Sequence, residues 1–517
     1  MHTRPFAVFR AVPGVLIALA GSTTALAMSP FGTSVDLSAV INGTDGFVMN
    51  GVDPYDHGGF AVSGAGDVNG DGFGDLIIGA WAADPGGNSG AGETYIVFGG
   101  PAVAPLGALE LSSLNGTNGY ILTGIGVDDR SGFSVAGAGD INGDGVDALI
   151  IGAYQAAPGA KNKAGEAYIV FGGPAVGASG SINLATLNGT TGFRVPGIDA
   201  FDRCGSSVAP AGDVNGDGID DILIGARGAS PALQGLAGET YVLFGKNTAI
   251  SGNFPASFDL TTLNGANGFV LNGFGLGDMS GFSVASAGDI NGDGAVDLVI
   301  GAYSADPGGK NQAGQSYVVF GGAGVGSTGS IELSALNGAD GFTMSGIDAS
   351  DRCGFSVAGA GDLNGDGIDE VIIGAYAADP NSNSASGECY IIFGKNTAVA
   401  GNFTATIDLT ALNGANGFMV TGADRFDFAG KSVAPAGDID NDGFDDVFIG
   451  APGGDPNAVS AAGESYVLLG NPTIGSTGLF SLSTIDGTNG FVINGIASLD
   501  ESGISVSGTT DVNGDGL

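Results

Sequence analysis

An acidic loop of the form Asp-x-Asn-Gly-Asp-Gly-x-x-Asp recurs seven times, starting at Asp67, Asp140, Asp213, Asp289, Asp362, Asp438 and Asp511. The starts are 73 or 76 residues apart. A period of that size in 517 residues means one supersecondary unit repeated, not a few unrelated domains. Each unit reads as four short strands. In the first unit they are the small-residue stretch 60–66, then 76–80 beyond the acidic loop, then 93–98, and 119–123 after an Asn-Gly turn. Four strands per repeat is the arithmetic of a propeller, with the smallest side chains on the strand nearest the axis. Glycine and proline together reach about 23% of the chain, but 43% of residues are hydrophobic, so the chain buries a core instead of remaining disordered.

The two ends refine this expectation. His2, Arg4 and Arg10 accompany an apolar stretch, 11–21, that is too short to span a bilayer, and Ala25-Leu26-Ala27 follows. Residues 1–27 read as a secretory signal peptide, leaving 28–517 as the propeller, with no later segment apolar enough to cross a membrane. The motif Asn42-Gly43-Thr44-Asp45-Gly46-Phe47 repeats as Asn115-Gly116-Thr117-Asn118-Gly119-Tyr120, so residues 31–51 form a fourth strand that closes the ring. Leu517 falls inside the seventh loop. The expectation is an all-β, seven-bladed propeller of four-stranded blades with calcium-binding hairpin loops, truncated in blade seven by roughly 27 residues.

The loop chemistry suits a hard cation. Side-chain oxygens at positions 1, 3, 5 and 9 and a backbone carbonyl at position 7 make an oxygen cage of calcium size, and glycines at 4 and 6 allow the bend. The ligand sets are Asp67, Asn69, Asp71, Phe73 and Asp75; Asp140, Asn142, Asp144 and Val146; Asp213, Asn215, Asp217, Ile219 and Asp221; Asp289, Asn291, Asp293, Ala295 and Asp297. The later sets are Asp362, Asn364, Asp366, Ile368 and Glu370; Asp438, Asp440, Asp442, Phe444 and Asp446; and Asp511, Asn513 and Asp515. An EF-hand needs Glu at position 12, whereas all six complete loops have Ile there, already in a strand. Loop two is the weakest complete site, because Ala148 stands at position 9 and Asp147, one place early, points away. An Asx turn without metal is the competing reading of a single copy, and seven copies argue against it.

Gly132-Phe133-Ser134-Val135-Ala136, the acidic loops and Gly450-Ala451-Pro452 resemble the FG-GAP repeats of the integrin α-subunit propeller and of bacterial secreted proteins. The resemblance spans nearly all of 31–517 and implies a propeller with calcium loops on its lower face, where they stiffen the hairpins, and the connections into each first strand on the other. It departs where Gly58, Ser131, Cys204, Ser280, Cys353, Ala429 and Ser502 replace an aromatic residue, and in its longer units.

The opposite face carries a second repeat: Asp56, Asp129, Asp202, Asp278, Asp351, Asp427 and Asp500, each eleven residues before its loop. These carboxylates either cap local turns or form a negative ring around the channel mouth. The formal charge of −40 excludes nucleic acid and anionic lipid as partners. Beyond the leader His57 is the only histidine and no carboxylate pair breaks the repetition, which argues against an enzyme, a polysaccharide-active one included. The expected function is a secreted, monomeric, calcium-binding module for protein binding or cell adhesion. The alternative is a lectin-like module whose platforms would be Trp81, Tyr154, Tyr303 and Tyr376. Three Asn-Gly-Thr sequences, at Asn42, Asn115 and Asn188, match glycosylation sequons and serve equally as turns.

Overall fold

A computed structural model describes residues 6–9, 15–19, 33–41, 46–101 and 107–513. Each of six units forms an antiparallel sheet whose strands run outward in chain order. In the first unit these are Ala61–Gly66, Asp75–Ala80, Glu93–Val97 and Gly119–Thr123. The innermost strands of successive units line the axis. Ser505–Gly508 of the seventh unit lies between Ser432–Gly437 and Ala61–Gly66.

The expected seventh blade is not formed: the propeller has six four-stranded blades. Among its described residues the seventh unit contributes one strand, so there is no third strand for 46–50 to join. Gly46–Asn50 instead pairs with Val15–Leu19 and with Ala108–Glu110, while Phe6–Phe9 pairs with Ser505–Gly508. Both N-terminal strands fall within the segment read as a leader. They supply backbone partners to edges that would otherwise be open.

A fifth, short strand was not anticipated. Ser181–Asn183 runs parallel to Gly119–Thr123 of the preceding blade, Ser330–Glu332 to Gly268–Asn272, and Ser34–Asp36 to Gly490–Asn494. Five of the six blade edges are covered in this way, the edge of blade two carries only a single bridge from Arg194 to Ser257, and a leucine of the following turn (Leu184, Leu333) is buried. The longer 76-residue spacings come from inserted helical turns at Thr248–Ser251 and Thr397–Ala400, which sit over loops two and four. Thr248 and Thr397 donate backbone N–H groups to the carbonyls of Asn142 and Asn291.

Second strands are buried along their whole length, because each blade is covered on both faces by its neighbours. Ile150, Ile169 and Phe193 of blade two thus share one core with Val208, Ile222 and Tyr241 of blade three. Cys204, Cys353 and Cys389 are buried free thiols, as expected.

Candidate cation loops and the opposite face

In loop one Asp67 accepts backbone N–H bonds from Gly70 (2.7 Å), Asp71 (3.0 Å) and Gly72 (2.7 Å), which curls the loop around this carboxylate. Asn69 accepts from the Asp71 N–H at 2.8 Å, and Asp71 from the Phe73 N–H at 3.0 Å. The same bond from position 7 to position 5 joins Val146 to Asp144, Ile219 to Asp217, Ala295 to Asp293, Ile368 to Asp366 and Phe444 to Asp442.

Position 9 is fully buried. Asp75 accepts from Val68 at 2.9 Å and from Gly99, at the end of the third strand, at 2.8 Å. Asp221, Asp297 and Asp446 repeat both bonds, and Glu370 repeats the first, from Leu363 at 2.7 Å. Burial, reinforced by the carboxylates at positions 1 and 5, pushes Asp75 up to about 7, Asp221 and Asp297 to about 8 and Glu370 to about 9.

The donor set fits a hard cation: every candidate side-chain ligand is an oxygen. In loop four the Asn291 Oδ1 is buried without a hydrogen-bond partner. In loop six Asp438, Asp440 and Asp442 bring carboxylate oxygens within 4.8 Å of one another. In loop two Ala148 is buried at position 9 and leaves the link to the third strand unmade. Asp511 and Asn513 are half-buried, and Asp515 lies outside the described residues. Ala148→Asp is therefore expected to add a calcium site to loop two, read as one more bound ion per chain by calorimetric titration.

Position 8 has a role that its sequence register hid. Asp147 accepts the backbone N–H of Asp67 in the preceding loop at 2.8 Å; Asp220 does the same for Asp140 (2.9 Å), Asp369 for Asp289 (2.7 Å) and Asp445 for Asp362 (3.0 Å). These carboxylates staple neighbouring blades. Gly66, before loop one, has φ +74°, and a Cβ there would lie 2.1 Å from the Asp147 carboxylate. The only sequence signal was an aspartate at position 8 in four of six loops.

On the opposite face the repeated aspartates cap their own lead-in turns. Asp129 accepts from Gly126 (2.8 Å), Asp202 from Asp199 (2.7 Å), Asp351 from Asp348 (3.0 Å) and Asp427 from Asp424 (2.8 Å). Burial raises Asp202 to about 6, and Asp351 and Asp427 to about 7, with Glu239, Glu388 and Glu464 respectively adding repulsion. A carboxyl with its folded pKa raised stabilises fully below its unfolded value of about 4 and loses that contribution as pH climbs through the folded value. Asp351→Asn keeps the acceptor and removes the titration. Its thermal midpoint relative to the parent is expected to rise steadily between about pH 4 and pH 7.

The aromatic residues of this face form a collar around the channel mouth. Trp81 is stacked by His57 at 4.7 Å and has the Arg130 guanidinium 4.4 Å from its ring centre. Tyr376 has the Lys431 ammonium 3.9 Å from its ring centre. These rings are occupied by the chain's own side chains.

A family model described as the FG-GAP repeat matches residues 205–243, 280–319, 354–392 and 429–468. Integrin alpha-V of Gallus gallus is 30% identical over 228 residues, 42% of this chain and 19% of its own length. Integrin alpha-IIb of Mus musculus is 29% identical over 235 residues, 44% of this chain and 20% of its own length. Phosphatidylinositol-glycan-specific phospholipase D of Bos taurus is 32% identical over 173 residues, 34% of this chain and 19% of its own length. The chain thus matches about a fifth of each relative's length.

Proposed function

Since the chain carries four FG-GAP repeats and folds as an integrin-type β-propeller, we propose that it is an extracellular protein-binding module of the adhesion type, stiffened by calcium. One observation carries this reading: the oxygen-lined loop and its buried position-9 carboxylate are repeated around the lower face, which is what a structural cation needs and a single active site does not. Calcium, when bound, neutralises the clustered carboxylates and cross-links the first and second strands of a blade. Asp221, Asp297, Glu370 and Asp446 would hold it from the strand side, and the residues at positions 1, 3 and 5 from the loop side. The similarity to a phospholipase covers a fifth of that enzyme. No helix among the described residues is long and apolar enough to cross a membrane. A secreted or surface-associated location accords with the integrin relatives.

A calcium-dependent carbohydrate-binding module is the weaker reading, because Trp81, its best platform, is already stacked by His57 and Arg130. The test is adhesion of beads bearing the full chain to a panel of immobilised extracellular-matrix proteins and glycans, with calcium and with chelator. Calcium-dependent capture by a protein supports the proposal. Capture by glycans alone, or capture indifferent to chelator, overturns it.

A further inference from the structure

The channel mouth concentrates cations in a chain that has only 14 Lys and Arg against 54 Asp and Glu. Arg130, Arg203, Arg227, Arg352 and Lys431 all stand on this face, half-buried. Arg130, Arg227, Arg352 and Lys431 lie over aromatic rings. Arg227 lies 5.4 Å from the centre of Tyr154 and 5.0 Å from that of Phe282, filling the gap where Ser206 replaces the collar aromatic. Lys431 replaces another collar aromatic and lies 4.1 Å from the centre of Phe355. The ion pair of Arg194 with Glu166 lies on the outer strands of blade two, not among these rings.

The arrangement is unfavourable for the chain alone. Burial and the neighbouring Arg203 lower the Arg227 pKa. Burial and Arg352 bring Lys431 down to about 8, and the attraction of Glu501 only partly offsets this. The Nε atoms of Arg130 and Arg227 are buried without a hydrogen-bond partner. Cation–π contacts return part of the lost hydration but leave the Nε donors of Arg130 and Arg227 unpaired, whereas Arg352 donates to the Tyr376 hydroxyl. Two like-charged pairs, Arg203 with Arg227 and Arg352 with Lys431, with acceptors missing at Arg130 and Arg227, constitute half of an anion site.

Around this mouth stands an apolar rim. Tyr55, Phe201, Leu276, Phe426 and Leu499 are exposed at the tips of the lead-in turns. Four of these, Tyr55 (φ 74°), Phe201 (72°), Phe426 (66°) and Leu499 (65°), occupy the left-handed tip of the turn, which holds Asp128 (60°) in unit two, Gly277 in unit four and Ser350 (75°) in unit five. The turn sets that conformation in every unit, and in four of them the residue it presents to solvent is large and apolar.

We propose that this face docks a protein segment bearing a single carboxylate side chain, which enters the collar between Arg227, Arg352 and Lys431 while its apolar neighbours cover the rim. The proposal rests on the protein-binding reading above and names its chemistry. An isolated acid flanked by apolar residues fits better than an acidic run or a polyuronate, because the remainder of the chain repels a polyanion.

The full chain, in calcium and near-physiological salt, is screened against a display library of random peptides. Enriched peptides are expected to share one Asp or Glu between apolar residues. Changing that acid to its amide, or Arg227→Gln or Lys431→Gln in the protein, weakens binding about tenfold or more. A purely structural role predicts that these two variants melt earlier; cations awaiting an anion predict an unchanged or higher midpoint. Should either variant fail to fold, the acid–amide peptide pair and the NMR signal of dimethylated Lys431, expected to move with the acid peptide alone, decide the matter. Peptides that bind the parent and both variants equally overturn this proposal and leave the protein-binding reading intact. Polygalacturonate binding that the variants abolish, with no peptide enriched, makes the mouth a saccharide site and overturns it. Failure of every probe overturns both readings.

Discussion

Chelating calcium lowers the thermal midpoint of the full chain by roughly 7–14 °C, the largest effect expected of any solution change. At ~10 mM calcium and a Kd in the ~10⁻⁴–10⁻³ M range of extracellular modules, each occupied site adds roughly 1.4–2.7 kcal/mol. Loops one, three, four, five and six retain an acid at position 9, giving five such sites. A chain of this length unfolds with an entropy near about 1 kcal/mol/K, which converts the summed binding energy into that shift. The effect should be graded by loop. Asp446→Ala removes a buried carboxylate that joins Ile439 to Gly470, in the loop with the highest charge, and should cost most of one site. Asp140→Ala, in the loop that already has Ala148, should cost least. Differential scanning calorimetry with and without chelator checks both. A midpoint indifferent to calcium would show the loops to be Asx turns stabilised by their own N–H bonds.

The features legible in the sequence were those contained within one unit. The spacing of Asp67, Asn69, Asp71 and Asp75 describes the curl of one loop, and the run 76–80 describes one buried strand. Contacts between units leave no such trace. Asp147 looked like a misplaced ligand, because its partner, the N–H of Asp67, is 80 residues away. Ser181–Asn183 is too short and polar to read as a strand and forms only on the edge of the preceding blade. The number of blades was misread for the same reason: the period counts loops, whereas a blade requires four strands, and the seventh unit supplies one among its described residues. Arg227 and Lys431 stand in registers that elsewhere hold aromatic residues, but their place among Tyr154, Phe282 and Phe355 exists only once the ring is closed.

Ring closure also sets the second large effect, at Gly301 in the second strand of unit four. A Cβ there would lie 2.0 Å from the carbonyl oxygen of Gly354 and 2.9 Å from its carbon, both backbone atoms of the next blade. Gly354 in turn donates its N–H to Gly374, so it has little room to retreat. Elsewhere, Gly→Ala at a compatible backbone conformation stabilises by about 0.4–1 kcal/mol through the unfolded chain, so the sign of the change is diagnostic. Gly301→Ala is expected to destabilise by at least about 3 kcal/mol, because overpacking here separates two blades instead of displacing one side chain. Gly301→Val, which adds two more methyl groups to the same clash, should abolish soluble protein. Gly58 provides the control: the nearest atom to its Cβ is the Gly51 Cα at 3.9 Å, and its register already contains Ala429. Gly58→Ala should therefore change stability by no more than about 1 kcal/mol, with no loss. Urea unfolding of the two Ala variants measures both values. Equal midpoints would mean that the blades are not held at backbone contact and that the ring tolerates expansion, which would also loosen the collar that the closed ring assembles at its mouth.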